Sequence, residues 1–192
     1  MSHGPVPSVL FAPDRIQERV HELGTEVCAG YAEGCEVHLV SVLKGGVVFL
    51  ADLMRALARP ATVDFVRLES YGTGTRPSGP PRLVKDLEDD VAGRDVLIVE
   101  DIVDTGRTLA SLIDAVRPRR PRSLRTVALL DKPSRRRVEV DIEHVGFTIP
   151  DRFVVGYGLD HAGRYRHLPY IGVLDPAAGD GPAGSGGRGD RA

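Results

Sequence analysis

The chain has 192 residues, 42% of them hydrophobic, and 25 basic against 27 acidic side chains leave a formal net charge of −2. That length can bury one sizeable core and needs no second domain, and a charge so near zero gives no general electrostatic reason to expect nucleic acid or an anionic membrane as partner. No apolar run approaches the roughly 18 residues of a membrane helix, and the opening MSHGPVPS lacks the basic and hydrophobic regions of a secretory leader, so a cytoplasmic location is the simplest expectation.

Residues 1–12 read as a flexible segment. Pro13-Asp14 followed by Ile16, Val20, Leu23 and Val27 predicts an amphipathic helix, with Asp14 and Gln17 at capping-box spacing. Cys28 and Cys35 have no nearby histidine pair and read as ordinary reduced cysteines. Residues 37–43 predict a strand, 47–57 a helix with Leu50, Leu53, Met54 and Leu57 on one face, and 62–68 a second strand. Strand and helix alternate, which calls for a parallel sheet. About 70–82 is rich in glycine, proline and small polar residues, too long for a tight turn and too polar for a core, and reads as a mobile loop.

The most informative stretch is 96–109, VLIVEDIVDTGRTL. Four apolar residues bounded by charge fit a strand covered on both faces. Glu100 and Asp101 are expected at its carboxyl end, and Leu109, Leu112, Ile113 and Val116 recur at helical spacing, so a helix begins in or just after the Asp104–Thr108 turn. A helix start presents free N–H groups and a positive dipole end to a phosphate, while carboxylates suit sugar hydroxyls or a metal. A phosphorylated sugar needs both. Further strands are expected at 124–130, 138–142, 153–156 and 170–174, and the glycine-rich 176–192 reads as a disordered tail. Of the basic residues only Lys44, Lys85 and Lys132 are lysine, which marks them as candidates for positions that need a compact, rotatable ammonium.

The 96–109 segment resembles the phosphoribosyl pyrophosphate motif of the type I phosphoribosyltransferases. Leu43-Lys44-Gly45-Gly46, Ser70-Tyr71-Gly72, Leu130-Asp131-Lys132-Pro133 and residues 150–174 (PDRFVVGYGLDHAGRYRHLPYIGVL) narrow the resemblance to the hypoxanthine-guanine branch, over about 13–175. It implies an α/β fold: a mainly parallel sheet flanked by helices, with a small hood built from both chain ends. The implied reaction joins a 6-oxopurine base to phosphoribosyl pyrophosphate, giving IMP or GMP and pyrophosphate, with Mg2+ as cofactor and a homodimer or homotetramer as the assembly. Glu100 and Asp101 are implied at the ribose hydroxyls and near the metal. Asp104 is implied beside the purine as general base, its competing role being a helix N-cap, and Thr105, Gly106, Arg107 and Thr108 around the 5′-phosphate. Lys44 and Gly45 are implied at pyrophosphate, after a non-proline cis peptide, with Arg166 clasping the same group. Lys132 is implied as donor to the exocyclic purine oxygen, Phe153 as the stacking ring, Val154 at the base edge through its main chain, and Asp160 at the base edge or the metal. Ser70 and Tyr71 lead the mobile loop. The chain departs from the pattern at His161, where tyrosine is common, and at Pro80-Pro81, which stiffen the loop.

Two other classes fail on their motifs: no Gly-Lys-Ser/Thr occurs anywhere, and no G-x-G-x-x-G follows the first strand. The remaining rival is a regulator of the same fold that binds nucleotide or RNA without catalysis, for which the arginine clusters at 117–125 and 135–137 supply local positive charge.

Overall fold

The computed structural model describes residues 8–69 and 81–174. In chain order the elements are β1 (Ser8–Phe11), α1 (Pro13–Ala29), β2 (Val37–Val42), α2 (Val47–Ala56), β3 (Ala61–Glu69), β4 (Arg82–Lys85), β5 (Asp95–Val103), α3 (Arg107–Val116), β6 (Ser123–Asp131), β7 (His144–Thr148), β8 (Val154–Val155) and β9 (Ile171–Val173). Six strands form one sheet in the order β4-β3-β2-β5-β6-β7, parallel except for β4, which returns antiparallel along β3.

The apolar run of β5 shows why the sheet is central. Val96, Leu97, Ile98 and Val99 are each fully buried, and successive side chains leave a strand on opposite faces. Leu97 and Val99 therefore join Ile16, Leu23 and Leu53 from α1 and α2, while Val96 and Ile98 join Leu109, Leu112 and Val116 from α3. A strand covered by helices on both faces needs no polar alternation.

Several local expectations require correction. Ala12 is the N-cap of α1 and no side chain caps it. Asp14 and Gln17 form no capping box, because Pro13 already starts the helix and Gln17 Nε2 instead donates to Asp52 Oδ2 at 2.8 Å. On α2 the helical phase buries Phe49, Leu50 and Leu53 and leaves Met54 partly exposed. Residues 138–142 form no strand: Val138 N–H goes to Thr105 O and Asp141 O accepts from Thr126 Oγ1, so their backbone groups are used outside a ladder. On the side of β6 away from β5, the pairing strand is β7.

The hood is a separate antiparallel sheet, β1-β9-β8, in which Ser8 faces Val173 and Val154 faces Val173 from the other side. It joins the two ends of the described chain, as expected, and it takes residues 8–11 out of the flexible N-terminal segment. The expected mobile loop, Ser70 and Tyr71 included, lies outside the described residues apart from its end at β4, as does the expected tail.

At the opposite end of the sheet, Asp95 accepts hydrogen bonds from Arg122 Nε (3.0 Å) and Ser123 Oγ (2.7 Å), and pairs with the second arm of Arg122. Arg122, acting first, holds its pKa down at about 2 against the cost of burial. A depressed carboxylate stabilises the fold fully above its ordinary range and loses that contribution as pH falls toward 2. Because Arg122 is largely exposed, Arg122→Ala is expected to destabilise the fold only modestly at pH 7 and less at pH 3. Urea unfolding at the two pH values measures it; equal losses would refute the assignment.

Candidate active site

The acidic pair lies inside β5. Pairing with β6 continues past it, Ile102 opposite Leu130 and Val103 opposite Asp131, so the strand runs two residues beyond the acids. Glu100 is 4% exposed and its Oε1 has no hydrogen-bond partner. Burial first, then the charge of Asp101, pushes the Glu100 carboxyl well above its ordinary range. Burial also raises Asp101 to about 6, opposed by the Ile102 N–H and by the nearby Arg166 guanidinium. The Lys44-Gly45 loop closes over this pair so tightly that a Cβ on Gly45 would collide with Asp101 Oδ2. The Leu43–Lys44 peptide is cis.

Beyond the strand, Asp104-Thr105-Gly106 turns into α3. Gly106 is the N-cap, with φ 81°, a left-handed conformation that favours glycine, and a Cβ there would collide with Val138 O. Asp104 is therefore not the cap. Thr105 O accepts N–H groups from Arg137 (2.9 Å) and Val138 (3.0 Å), which brace the turn from behind. The first N–H groups of α3 have no acceptor within the helix. One of them, Arg107 N–H, is shared with Thr105 Oγ1 at 3.4 Å.

These pieces open into one cleft of about 490 Å³. Lys44, Gly45, Glu100, Asp101, Asp104, Thr105, Gly106, Thr108, Lys132, Phe153, Val154, Asp160 and Arg166 all line it. Arg107 does not, and its side chain is exposed. Val42, Ile102, Val103, Leu109 and Leu159 line the cleft too, without having been expected there as site residues. Ile102 and Val103 could have been found, since they stand between the acidic pair and Asp104; no sequence signal marks Val42.

One end of the cleft is built for a flat polar group. Lys132 is 6% exposed, and its Nζ donates to Arg152 O at 2.9 Å, so the ammonium is held in place with N–H groups to spare. Phe153 is 42% exposed and meets His161 edge-on at 5.2 Å, leaving ring surface free to stack. Arg135, which no site motif marks, holds Nε 3.4 Å from Asp104 Oδ1 and NH1 3.5 Å from Asp151 Oδ2. Its only signal in the sequence is the basic run 135–137.

The acidic pair suits a hard cation, since a buried carboxylate oxygen without a partner is an unmet demand for positive charge. Asp160 lines the same cleft and its negative charge is felt at Asp101. Its Oδ1 lies 2.5 Å from Arg166 and its Oδ2 accepts the Gly163 N–H at 2.7 Å. Among the described residues no three His, Cys, Asp or Glu gather as a metal site. Two carboxylates completed by substrate oxygens match the sparse protein donor set that magnesium commonly takes.

Holding two acids under a loop costs stability. Asp101→Asn is expected to raise the unfolding free energy at pH 8 by roughly 1–3 kcal/mol, because a carboxyl raised to about 6 opposes folding only when ionised. The gain should shrink below pH 6, as the wild-type group takes its proton. Denaturant unfolding checks both points, and a less stable variant at pH 8 would contradict them.

A parallel sheet carrying buried acids, a glycine-started helix beyond them and a hood over the cleft defines the phosphoribosyltransferase class. Residues 14–162 match the phosphoribosyl transferase domain model, and the chain belongs to that family. It is 50% identical over 178 residues to the hypoxanthine-guanine phosphoribosyltransferase of Mycobacterium avium, covering 90% of this chain and 88% of that one. To the Bacillus subtilis enzyme of the same name it is 46% identical over 172 residues, 90% and 95% of the two chains. The bifunctional protein TilS/HprT of Listeria monocytogenes is 48% identical over 174 residues, 91% of this chain, which spans 27% of that protein's length. Among solved structures, a hypoxanthine-guanine phosphoribosyltransferase from Bacillus anthracis superposes with a TM-score of 0.84 at 42% identity, covering 89% of this chain and 100% of that one. A Staphylococcus aureus hypoxanthine phosphoribosyltransferase gives 0.83 at 42%, with 88% and 92% covered.

Proposed function

We propose that the protein is a purine salvage enzyme that transfers the 5-phosphoribosyl group from phosphoribosyl pyrophosphate to hypoxanthine, guanine or both, releasing pyrophosphate and forming IMP or GMP. One observation carries this reading: the acidic pair, the glycine-started helix and the pinned Lys132 ammonium face a single cleft. Those three features match a ribose, a 5′-phosphate and a 6-oxopurine, the parts of one nucleotide. The identity to enzymes of that name supports it.

The chain's residues divide the work by charge. Thr105, Gly106 and Thr108 hold the 5′-phosphate through N–H and hydroxyl groups at the start of α3. Glu100 and Asp101 accept the ribose hydroxyls. Lys44, Gly45 and Arg166 receive the pyrophosphate. As the purine nitrogen bonds the anomeric carbon and the bond to pyrophosphate breaks, positive character builds on the sugar and negative charge on the leaving group. Asp104 takes the proton from the neighbouring ring nitrogen. Mg2+, held by Glu100 and Asp101 with substrate oxygens, would supply Lewis-acid stabilisation of the departing charge. Lys132 donates to the exocyclic oxygen, Phe153 stacks on the base, and Val154 and Asp160 face its edge.

Ion pairs weaken the basic face that an RNA-binding regulator would need. Within 117–125, Arg119, Arg122 and Arg125 pair with Asp86, Asp95 and Glu143; of the second cluster, Arg136 pairs with Asp131 and Arg135 with Asp104 and Asp151. Among the described residues no helix is long and apolar enough to cross a membrane. We place the enzyme in the cytoplasm as a homodimer or homotetramer. The test offers hypoxanthine, guanine, xanthine, adenine and uracil separately with phosphoribosyl pyrophosphate and magnesium. Turnover of 6-oxopurines alone is expected; no turnover of any base, with phosphoribosyl pyrophosphate still bound, would favour the regulator.

A further inference from the structure

We propose that Tyr157 is a positioning residue that sets the pyrophosphate side of the cleft, an inference that rests on the transfer reaction above. Tyr157 is 3% exposed and holds φ at 51°, a left-handed backbone that a bulky residue keeps only when its surroundings enforce it. Its N–H donates to Leu168 O at 2.8 Å, and its hydroxyl anchors the side chain as well. It donates to Asp52 Oδ2 on α2 at 2.5 Å, and Gln17 Nε2 on α1 donates to the same oxygen at 2.8 Å. One phenol thus ties the hood segment to both helices on that face of the sheet. Burial first, then the Asp52 carboxylate, holds the phenol above its ordinary pKa, so it remains a donor across physiological pH.

The next residue transmits this constraint to the cleft. Gly158 packs against the Lys44-Gly45 loop so closely that a Cβ on it would collide with Gly45 O. Its N–H donates to Arg166 O at 3.0 Å, and its carbonyl accepts from Arg166 NH1 at 2.6 Å. The loop that carries Lys44 and the segment that carries Arg166 therefore meet at the residue after Tyr157. The same helix α2 that receives the phenol begins directly after that loop. Lys44 and Arg166 lie far apart in sequence, and Tyr157 is the pin that keeps their two backbones in register. Lys132 is outside this set, and the one link toward the purine edge is the Arg166–Asp160 ion pair at 2.5 Å.

The test compares Tyr157→Phe, Asp52→Ala and Asp52→Asn with the wild type, by calorimetry with magnesium pyrophosphate and with IMP, and by steady-state kinetics. Tyr157→Phe and Asp52→Ala are each expected to weaken magnesium pyrophosphate binding and raise the KM for phosphoribosyl pyrophosphate about tenfold, with the KM for hypoxanthine within about twofold. Asp52→Asn keeps an acceptor for the phenol and should restore most of the affinity. Combining Tyr157→Phe with Asp52→Ala should add little to either alone. Wild-type affinity for pyrophosphate in Tyr157→Phe, or equal weakening towards pyrophosphate, IMP and hypoxanthine, would overturn the inference while leaving the reaction intact. Failure of the wild type to turn over any purine would remove the reaction and the inference with it.

Discussion

Asp104→Asn is expected to lower turnover by roughly 10²–10⁴, the usual contribution of a positioned general base, with little loss of nucleotide affinity. The geometry explains the size of the effect. Asp104 lines the cleft on the turn between β5 and α3, its Oδ1 is buried without a hydrogen-bond partner, and Arg135 stands 3.4 Å away. A carboxylate can take a proton; an amide cannot. The substitution keeps size and leaves the Gly106 cap untouched, so the turn should survive. Single-turnover kinetics alongside IMP binding separates the roles, since a merely structural Asp104 would weaken both. A variant within about threefold of wild-type turnover would end the case for Asp104 as the base.

Lys132→Met is expected to reduce the preference for hypoxanthine over adenine, as a ratio of kcat/KM values, by at least about 10³. Sites built to hydrogen-bond one substrate group reject its analogues by such factors because the site's own polar groups are left unpaired. Lys132 is buried, donates to Arg152 O at 2.9 Å and lies 3.8 Å from Asp151 Oδ1, and its remaining N–H groups are available to a purine oxygen. Adenine presents an amine to that ammonium, donor against donor. Removing the ammonium also leaves the exposed Arg152 without this partner, a loss of about 0.5–1.5 kcal/mol of stability. An unchanged ratio in a folded variant would assign the selectivity elsewhere, to Val154 or Asp160.

Asp104 and Lys132 are both visible in the sequence alone. VLIVEDIVDTGRTL is legible because burial on both faces demands an apolar run, and acids are costly inside such a run unless a function retains them. The alternation of strand and helix was legible for similar local reasons, whereas the hood made of both chain ends and most cleft-lining residues were expected from the family resemblance. Failures occurred where one local pattern had several tertiary uses. Asp14 and Gln17 have capping-box spacing, yet Gln17 serves Asp52. Val138, Val140 and Ile142 alternate like a strand, yet the segment spends its backbone on Thr105 and Thr126. Arg107 leaves its side chain exposed outside the cleft, and the part expected of it is its backbone N–H at the start of α3.

Periodicity and turn residues, which act over a few positions, determined the alternating strand-helix class, the covered strand, the acidic pair and the turn, and the resemblance of short motifs to a known family supplied most of the other chemistry-bearing residues. Only the tertiary structure decided which charges neutralise one another, as in Asp160 with Arg166 and Arg122 with Asp95. It alone buried Glu100 and Asp101 deeply enough to raise their pKa values, and it alone brought Tyr157 to Asp52. Desolvation and pairing depend on neighbours distant in sequence, whose approach is set by packing of the whole core rather than by any local signal.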